Sequence, residues 1–369
     1  MNPTTPARVG VVGCGAISDV YFTNGRKFQA LEMVSCCDLD ANKATSQAGK
    51  HGVSRTCSVE DIFADPDIDI ILNLTIPVAH GEIALRALQA GKSTYGEKPL
   101  AVRLDDGRRM IELAREKNLR VGCAPDTFLG ASHQTARRAI DEGMIGQPIA
   151  ANCFMLGHGV ETWHPNPEFY YKPGGGPMFD MGPYYLTALI NMLGPVRRVT
   201  GSAGINMPQR TISSQPLAGK VIDVEVPTHV VAVLDFHSGA IATLVTSFDI
   251  KATALPNIEI YGTEAGMSVP DPNCFGGDVK IRGWREKNWR KVRNKHKYGE
   301  NSRGVGLADM ASAMQTGRAH RASGEVALHV LEIMHAVHTA STEGKHIELI
   351  TRPERPAAMN PKLAEGVLG

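Results

Sequence analysis

No run in the 369-residue chain approaches the roughly 18 apolar residues that cross a bilayer, so no membrane-spanning helix is expected. No charge of one sign dominates either. The 39 Lys and Arg face 38 Asp and Glu, a formal net charge of +1, which gives nucleic acid and anionic membrane no electrostatic purchase. The seven cysteines (14, 36, 37, 57, 123, 153 and 274) include no C-x-x-C pair and are odd in number, which points to reduced thiols rather than a disulfide framework. Met1 to Arg8 carry neither an apolar signal core nor a twin-arginine pair, and the resulting expectation is a cytoplasmic chain.

What is present is the composition of a folded protein, 43% apolar and 21% charged. At roughly 150 residues per domain the length predicts about two domains. The first third alternates short β runs with helical stretches, the grammar of a parallel sheet covered on both faces. Strands are expected at Arg8–Gly13, Met33–Asp38, Ile68–Leu74, Ser93–Gly96 and Arg120–Ala124, and helices at Ala79–Ala90 and Leu104–Lys117. After Pro125 the pattern changes. One helix, Ser132–Glu142, precedes β-rich stretches at Ile149–Leu156, Val196–Ile205, Val224–Phe236, Ala240–Phe248 and Ile258–Tyr261. Few helices separate them, so this sheet is expected to be mostly antiparallel. Helical patterns return at Leu307–Thr316 and Glu325–Glu343, the latter with Ser323 as N-cap. The expected domains are 1–124 and 125–369.

Gly13-Cys14-Gly15-Ala16-Ile17-Ser18 follows the first strand and opens a helix. Glycine at 13 suits a tight turn, and glycine at 15 lets backbone approach a pyrophosphate on the helix N-terminus. Asp38 ends the second strand, where a carboxylate accepts hydrogen bonds from ribose hydroxyls and repels a 2′-phosphate. Leu39 supplies no compensating cation, so NAD is favoured over NADP.

Four motifs in order complete the pattern. They are the GCGAIS turn, Thr75-Ile76-Pro77-Val78-Ala79-His80, Glu97-Lys98-Pro99, and Gly174-Gly175-Gly176 followed by Asp180 and Gly182. With them the chain resembles the Gfo/Idh/MocA oxidoreductases, the glucose–fructose oxidoreductase and inositol dehydrogenase group. The resemblance implies an N-terminal Rossmann domain with a doubly wound parallel sheet. It also implies a C-terminal α+β domain with a large open, mostly antiparallel sheet for substrate binding and oligomerisation, and a homodimer or homotetramer. By motif, Thr75, Ile76 and Pro77 would line the nicotinamide side, Glu97 would contact the cofactor ribose, and His80 would lie at the adjoining helix start.

Oxidising an alcohol requires hydride to leave carbon while a base takes the hydroxyl proton, and a nearby cation lowers the cost of the developing alkoxide. Lys98, just beyond a strand end, is the candidate cation. Asp180 and Tyr184 are four residues apart and would share one face if Pro177–Leu193 is helical. Gly182 or Asp180 would then be the N-cap. Tyr184 stands where much of the family has histidine, although the glucose–fructose oxidoreductase branch has tyrosine. Free tyrosine titrates near about 10, and a neighbouring Lys98 would favour phenolate. Tyr184 is therefore the candidate acid/base, Lys98 its electrostatic partner, and Asp180 the group that positions substrate or lysine.

On the substrate side, His158, Trp163 and His164 offer imidazole and aromatic surface suited to a sugar ring. Asp126 and Thr127 are further candidate contacts for sugar or nicotinamide. Glu332, His335 and His338 share a helix face without an evident fourth ligand, so no metal is expected. The basic stretch from Arg285 to Lys297, with Trp289 inside, reads as a solvated loop or subunit contact. The expected substrate is a neutral sugar, glycoside or cyclitol. Two other readings remain at this point: a glycosidase that oxidises the sugar transiently on retained NAD, and a non-catalytic nucleotide sensor.

Overall fold

The computed structural model describes residues 5–369. The chain divides into two units. One holds the residues up to Gly130 together with 296–331 and 356–369, and the other holds 131–295 and 332–355.

In the first unit β1 (Ala7–Val12), β2 (Leu31–Cys37), β3 (Arg55–Thr56), β4 (Ile70–Asn73), β5 (Ser93–Gly96) and β6 (Val121–Cys123) form one sheet in the order β3-β2-β1-β4-β5-β6. Every pairing is parallel. This is the doubly wound order, which reverses direction beside β1 and leaves a crevice at the carboxyl ends of β1 and β4. Val9, Val11, Ile70, Ile71 and Leu72 are fully buried, as strands covered on both faces require. The connecting helices are α1 (Ser18–Gly25), α2 (Ala41–His51), α3 (Val59–Ala64), α4 (His80–Gln89) and α5 (Leu104–Glu116).

The second unit begins with α6 (Ala131–Asp141) and β7 (Pro148–Leu156), followed by α7 (Gly176–Asp180), α8 (Gly182–Leu193) and β8 (Val196–Gly204). A separate antiparallel pair, β9 (Gln209–Thr211) and β10 (Val221–Asp223), interrupts the run. The main sheet continues with β11 (His229–Phe236), β12 (Ile241–Ser247), β13 (Ile258–Gly262), β14 (Ala265–Val269), β15 (Lys280–Gly283) and β16 (Arg290–Lys291). Helices α9 (Val305–Thr316) and α10 (Gly324–Glu343) precede the last strand, β17 (Ile347–Glu348). The nine strands lie in the order β16-β15-β14-β13-β7-β12-β11-β8-β17. Only β12 and β7 pair in parallel. Helices α6, α7 and α8 pack on one face of this sheet. No helix among the described residues is long and apolar enough to cross a membrane.

Two expectations are corrected here. The stretch 125–369 is not one block, because 296–331 and 356–369 belong with the first unit. There α9 packs on β6, and Arg321 donates to the carbonyls of Ala357, Ala358 and Gly369. Nor is Pro177–Leu193 one helix. It breaks at Met181, which caps α8 at φ −109°. Pro183 has no N–H to donate to the Phe179 carbonyl, so the chain restarts rather than continuing. Asp180 therefore ends one helix and Tyr184 lies in the first turn of the next.

Candidate active site

Three turns meet at the carboxyl ends of β1, β4 and β5. The first, Gly13 to Ile17, follows β1. Gly13 has φ +101°, and a Cβ there would lie 2.7 Å from the backbone carbonyl of Leu74. The turn thus depends on glycine both for its dihedral and for its contact with the chain leaving β4. Around Gly15 the situation is reversed: nothing among the described residues lies within 4 Å of where its Cβ would be. That open flank beside the start of α1 is the cradle a pyrophosphate needs.

Asp38 closes the other side of this turn. Its Oδ2 accepts from the Cys14 N–H at 2.7 Å and its Oδ1 from the Asp40 N–H at 2.9 Å. Leu39 beside it is fully exposed. The carboxylate is held in place by backbone donors, and its remaining lone pairs suit ribose hydroxyls. Ala16 and Ile17 are exposed at the helix start. Cys14 is buried, with its hydrogen bond to the neighbouring Cys36 thiol, and then burial, pushing its pKa up, so it is a neutral filler of the turn.

The second and third turns are tied to each other. Asn73, buried at the end of β4, accepts from the Thr75 hydroxyl at 2.7 Å and donates to the His80 carbonyl at 3.1 Å. His80 opens α4 and is 2% exposed. Its Nδ1 lies 2.6 Å from the Pro99 carbonyl and its Nε2 3.0 Å from the Thr75 carbonyl. Burial lowers its pKa, against the pull of those two carbonyls. A neutral imidazole carries one N–H, so His80 donates to one of these two carbonyls, and its ring is buried between the Thr75 turn and the Glu97-Lys98-Pro99 turn. Ile76 and Val78 stand 63% and 67% exposed on the rim.

Glu97 accepts from the Tyr21 hydroxyl at 2.8 Å and from the Lys98 N–H at 3.1 Å. Burial, then the charge of Glu97, raises the Tyr21 pKa, so the proton stays on the phenol. Tyr21 was not among the sequence candidates. It reaches Glu97 from α1 across 76 positions, and no local pattern announces such a contact. Asn73 had a signal, a lone polar residue in the buried run IILNL.

Asp126 and Thr127 are placed differently from expectation. Each is 1% exposed. Asp126 Oδ2 accepts from the N–H groups of Gly304 and Gly306 at 2.8 and 3.0 Å. The side chain caps α9, which leaves it no surface toward sugar or nicotinamide.

In the second unit, Asp180 is partly exposed and Tyr184 is 8% exposed. His335 and His338 pack on Phe179, with ring centroids at 5.1 and 5.9 Å, just before Asp180. Glu332 accepts from the N–H groups of Ile350 and Thr351 at 3.1 and 2.9 Å, so its carboxylate is committed to the segment after β17. His158 and Trp163 are exposed, and His164 lies between Trp163 and Phe169 at centroid distances of 5.5 and 5.6 Å.

Residues 7–124 match the oxidoreductase family model with an NAD-binding Rossmann fold, and residues 133–268 match the GFO/IDH/MocA C-terminal domain. A 1,5-anhydro-D-fructose reductase from Ensifer adhaerens is 30% identical over 267 residues, 70% of this chain and 74% of its own length. Inositol 2-dehydrogenase 3 from Saccharopolyspora erythraea is 35% identical over 42% of this chain and 47% of its own. D-glucoside 3-dehydrogenase from Escherichia coli is 27% identical over 72% and 78%. Among solved structures, levoglucosan dehydrogenase in its apo form matches with a TM-score of 0.81 at 20% identity, over 96% of this chain and 100% of that one. This last likeness speaks to fold.

Proposed function

This chain belongs to the Gfo/Idh/MocA oxidoreductases, and from that premise we propose that it is an NAD-dependent dehydrogenase acting on a secondary alcohol of a neutral sugar, sugar derivative or cyclitol. The observation that carries the cofactor half is the set of turns after β1, β4 and β5, with an open flank at Gly15 and His80 buried between the latter two. Asp38 favours NAD over NADP, since a fixed carboxylate repels a 2′-phosphate and Leu39 offers no cation to offset it. The substrate class is supported by the relatives' names, an anhydrofructose reductase, an inositol dehydrogenase and a glucoside dehydrogenase.

When bound, the nicotinamide supplies the hydride acceptor. The protein's part is to bind the alcohol, move its proton and offset the charge that develops on oxygen. In this reading the Lys98 ammonium favours alkoxide character at the reacting oxygen. The Tyr184 phenolic oxygen receives the hydroxyl proton during oxidation and returns it in the reverse direction. Asp180 orients a second substrate hydroxyl. Glu97 and Thr75 face the cofactor, and His158, Trp163 and His164 face the sugar. The helix-free face of the sheet in the second unit, with Val231, Val233, Val245 and Phe154 among its polar neighbours, supports a homodimer or homotetramer.

The test is reduced-nicotinamide absorbance with purified protein, NAD and a panel of inositols, free sugars and glycosides. Multiple-turnover reduction with one compound class is the expected result. Tyr184→Phe should then lower kcat by about 10²–10⁴-fold while leaving NAD affinity unchanged. Unaltered turnover in that variant would remove Tyr184 from the acid/base role. Stoichiometric NAD that never exchanges, with glycoside cleavage, would overturn the dehydrogenase reading.

A further inference from the structure

The loop that carries His158, Trp163 and His164 stands on a buried ionic cluster. Arg210, on β9, is 4% exposed. Its Nη1 donates to Glu161 Oε1 at 2.8 Å. Its Nη2 donates to Asp249, and both nitrogens lie 3.3 Å from the Phe248 carbonyl. The second Glu161 oxygen accepts from the Tyr171 hydroxyl. The second Asp249 oxygen accepts from Thr228 at 2.9 Å and Asn206 at 2.8 Å. One guanidinium therefore joins the loop, the β9–β10 pair and the end of β12.

The chain accommodates this cluster closely. Gly159 has φ +105°, and a Cβ there would run into the Glu161 carboxylate and the Arg210 guanidinium. At its far end the loop packs on α7, where a Cβ on Gly175 would lie 2.7 Å from the Phe169 carbonyl. That helix ends at Asp180. The clasp, the loop and α7 are thus one packed body within the second unit. On its surface Trp163 is 63% and Phe169 41% exposed, with His164 between them.

Burying three charges is a poor route to stability, since apolar residues of similar volume usually serve as well, but it specifies geometry. A planar guanidinium that must satisfy two carboxylates and a carbonyl has one good arrangement. We propose that Arg210 is a positioning residue for the substrate side, clasping Glu161 and Asp249 so that loop 158–171 presents its aromatic rings in a fixed place to the apolar face of a sugar ring. This rests on the sugar dehydrogenase reading above.

The experiment pairs two independent readouts on full-length wild type, Arg210→Met, Arg210→Lys and Glu161→Gln. Steady-state kinetics with methyl α-D-glucopyranoside and myo-inositol give KM and kcat, and fluorescence titration gives the NAD dissociation constant. Amide hydrogen exchange follows 158–171 against β1 as an internal reference. In Arg210→Met the sugar KM is expected to rise about tenfold or more, with kcat changing less and NAD affinity unmoved. Exchange over 158–171 should accelerate by about tenfold or more while β1 is unchanged. Arg210→Lys and Glu161→Gln keep a charge or an amide in place and should fall between wild type and Arg210→Met. They carry the test if Arg210→Met does not fold. Unchanged exchange over 158–171, or sugar KM and NAD affinity shifting together, would overturn the proposal. If wild type oxidises neither these two compounds nor any other inositol, free sugar or glycoside of the panel, the dehydrogenase reading is what fails, and the exchange comparison still decides whether Arg210 holds the loop.

Discussion

Gly13 and Gly15 stand two residues apart in one turn, yet different things hold them to glycine. At Gly13 the constraint is within the fold, a positive φ and a backbone neighbour at 2.7 Å that cannot move aside. At Gly15 the protein itself sets no steric limit. Gly13→Ala should therefore cost about 1–3 kcal/mol of folding stability, read by chemical denaturation, and lose NAD binding as well. Gly15→Ala should unfold like wild type and bind NAD at least about tenfold more weakly, because its methyl group enters the flank where the pyrophosphate would lie. Equal stability loss in both variants would mean that the open flank is part of the fold rather than a ligand cradle.

Among the elements, α9 shows how a helix can be capped by a distant residue. Its N-cap is Gly304, which has no side chain to offer its own first turn, and Asp126 supplies the missing acceptor from 178 positions away. Burial pushes the Asp126 carboxyl up to about 6, against the two N–H groups that favour its charged form. A folded pKa raised above the ordinary aspartate value means that the stabilisation is complete below about pH 4 and is lost as pH rises through about 6. Asp126→Asn keeps an acceptor and removes the charge. The variant should therefore gain on wild type between pH 4 and 7, by up to about 3 kcal/mol in denaturant midpoints converted to free energy. A difference independent of pH would show that the carboxyl does not titrate there. The same residue marks where sequence reading stops. Following β6, Asp126 looked like a crevice residue, and nothing local to it or to Gly304 records their meeting. Strands β1 and β4 were legible because a sheet covered on both faces demands apolar runs, whereas β5, Ser93-Thr94-Tyr95-Gly96, was legible from its place between two helical stretches. The two-residue strands β3, β16 and β17 carry too little pattern to find. Val224–Phe236 read as one strand, but β11 begins only at His229, past Pro227, and Pro183 similarly starts α8 apart from α7. Both prolines were visible, and the continuous apolar pattern around them outweighed their missing N–H groups.

At the scale of the whole molecule, the nine-stranded sheet of the second unit carries helices on one face, and its other face alternates out of the core. On β11 the inward Val230, Ala232 and Leu234 are fully buried, while Val231 and Val233 are half-buried on the opposite side. Val245 pairs with both Val231 and Phe154 across the strands, and Ile241, on the same face of β12, is 53% exposed. The edges of the sheet are blunted. Strands β16 and β17 are two residues long, and β16 is Arg290-Lys291, a charged pair that discourages edge-to-edge growth. For the homodimer or homotetramer expected from the family resemblance, the open face rather than the blunted edges is the proposed interface. Light scattering on the purified chain should give a mass at least twice that of the monomer. Val233→Glu and Val245→Glu, each placing a charge at the centre of that face, should lower the mass toward the monomer, with far-ultraviolet circular dichroism unchanged. A wild-type monomer at micromolar concentration would sink the idea. An oligomer indifferent to both substitutions would move the interface off this face, and the basic segment Arg285 to Lys297 would then be the next surface to substitute.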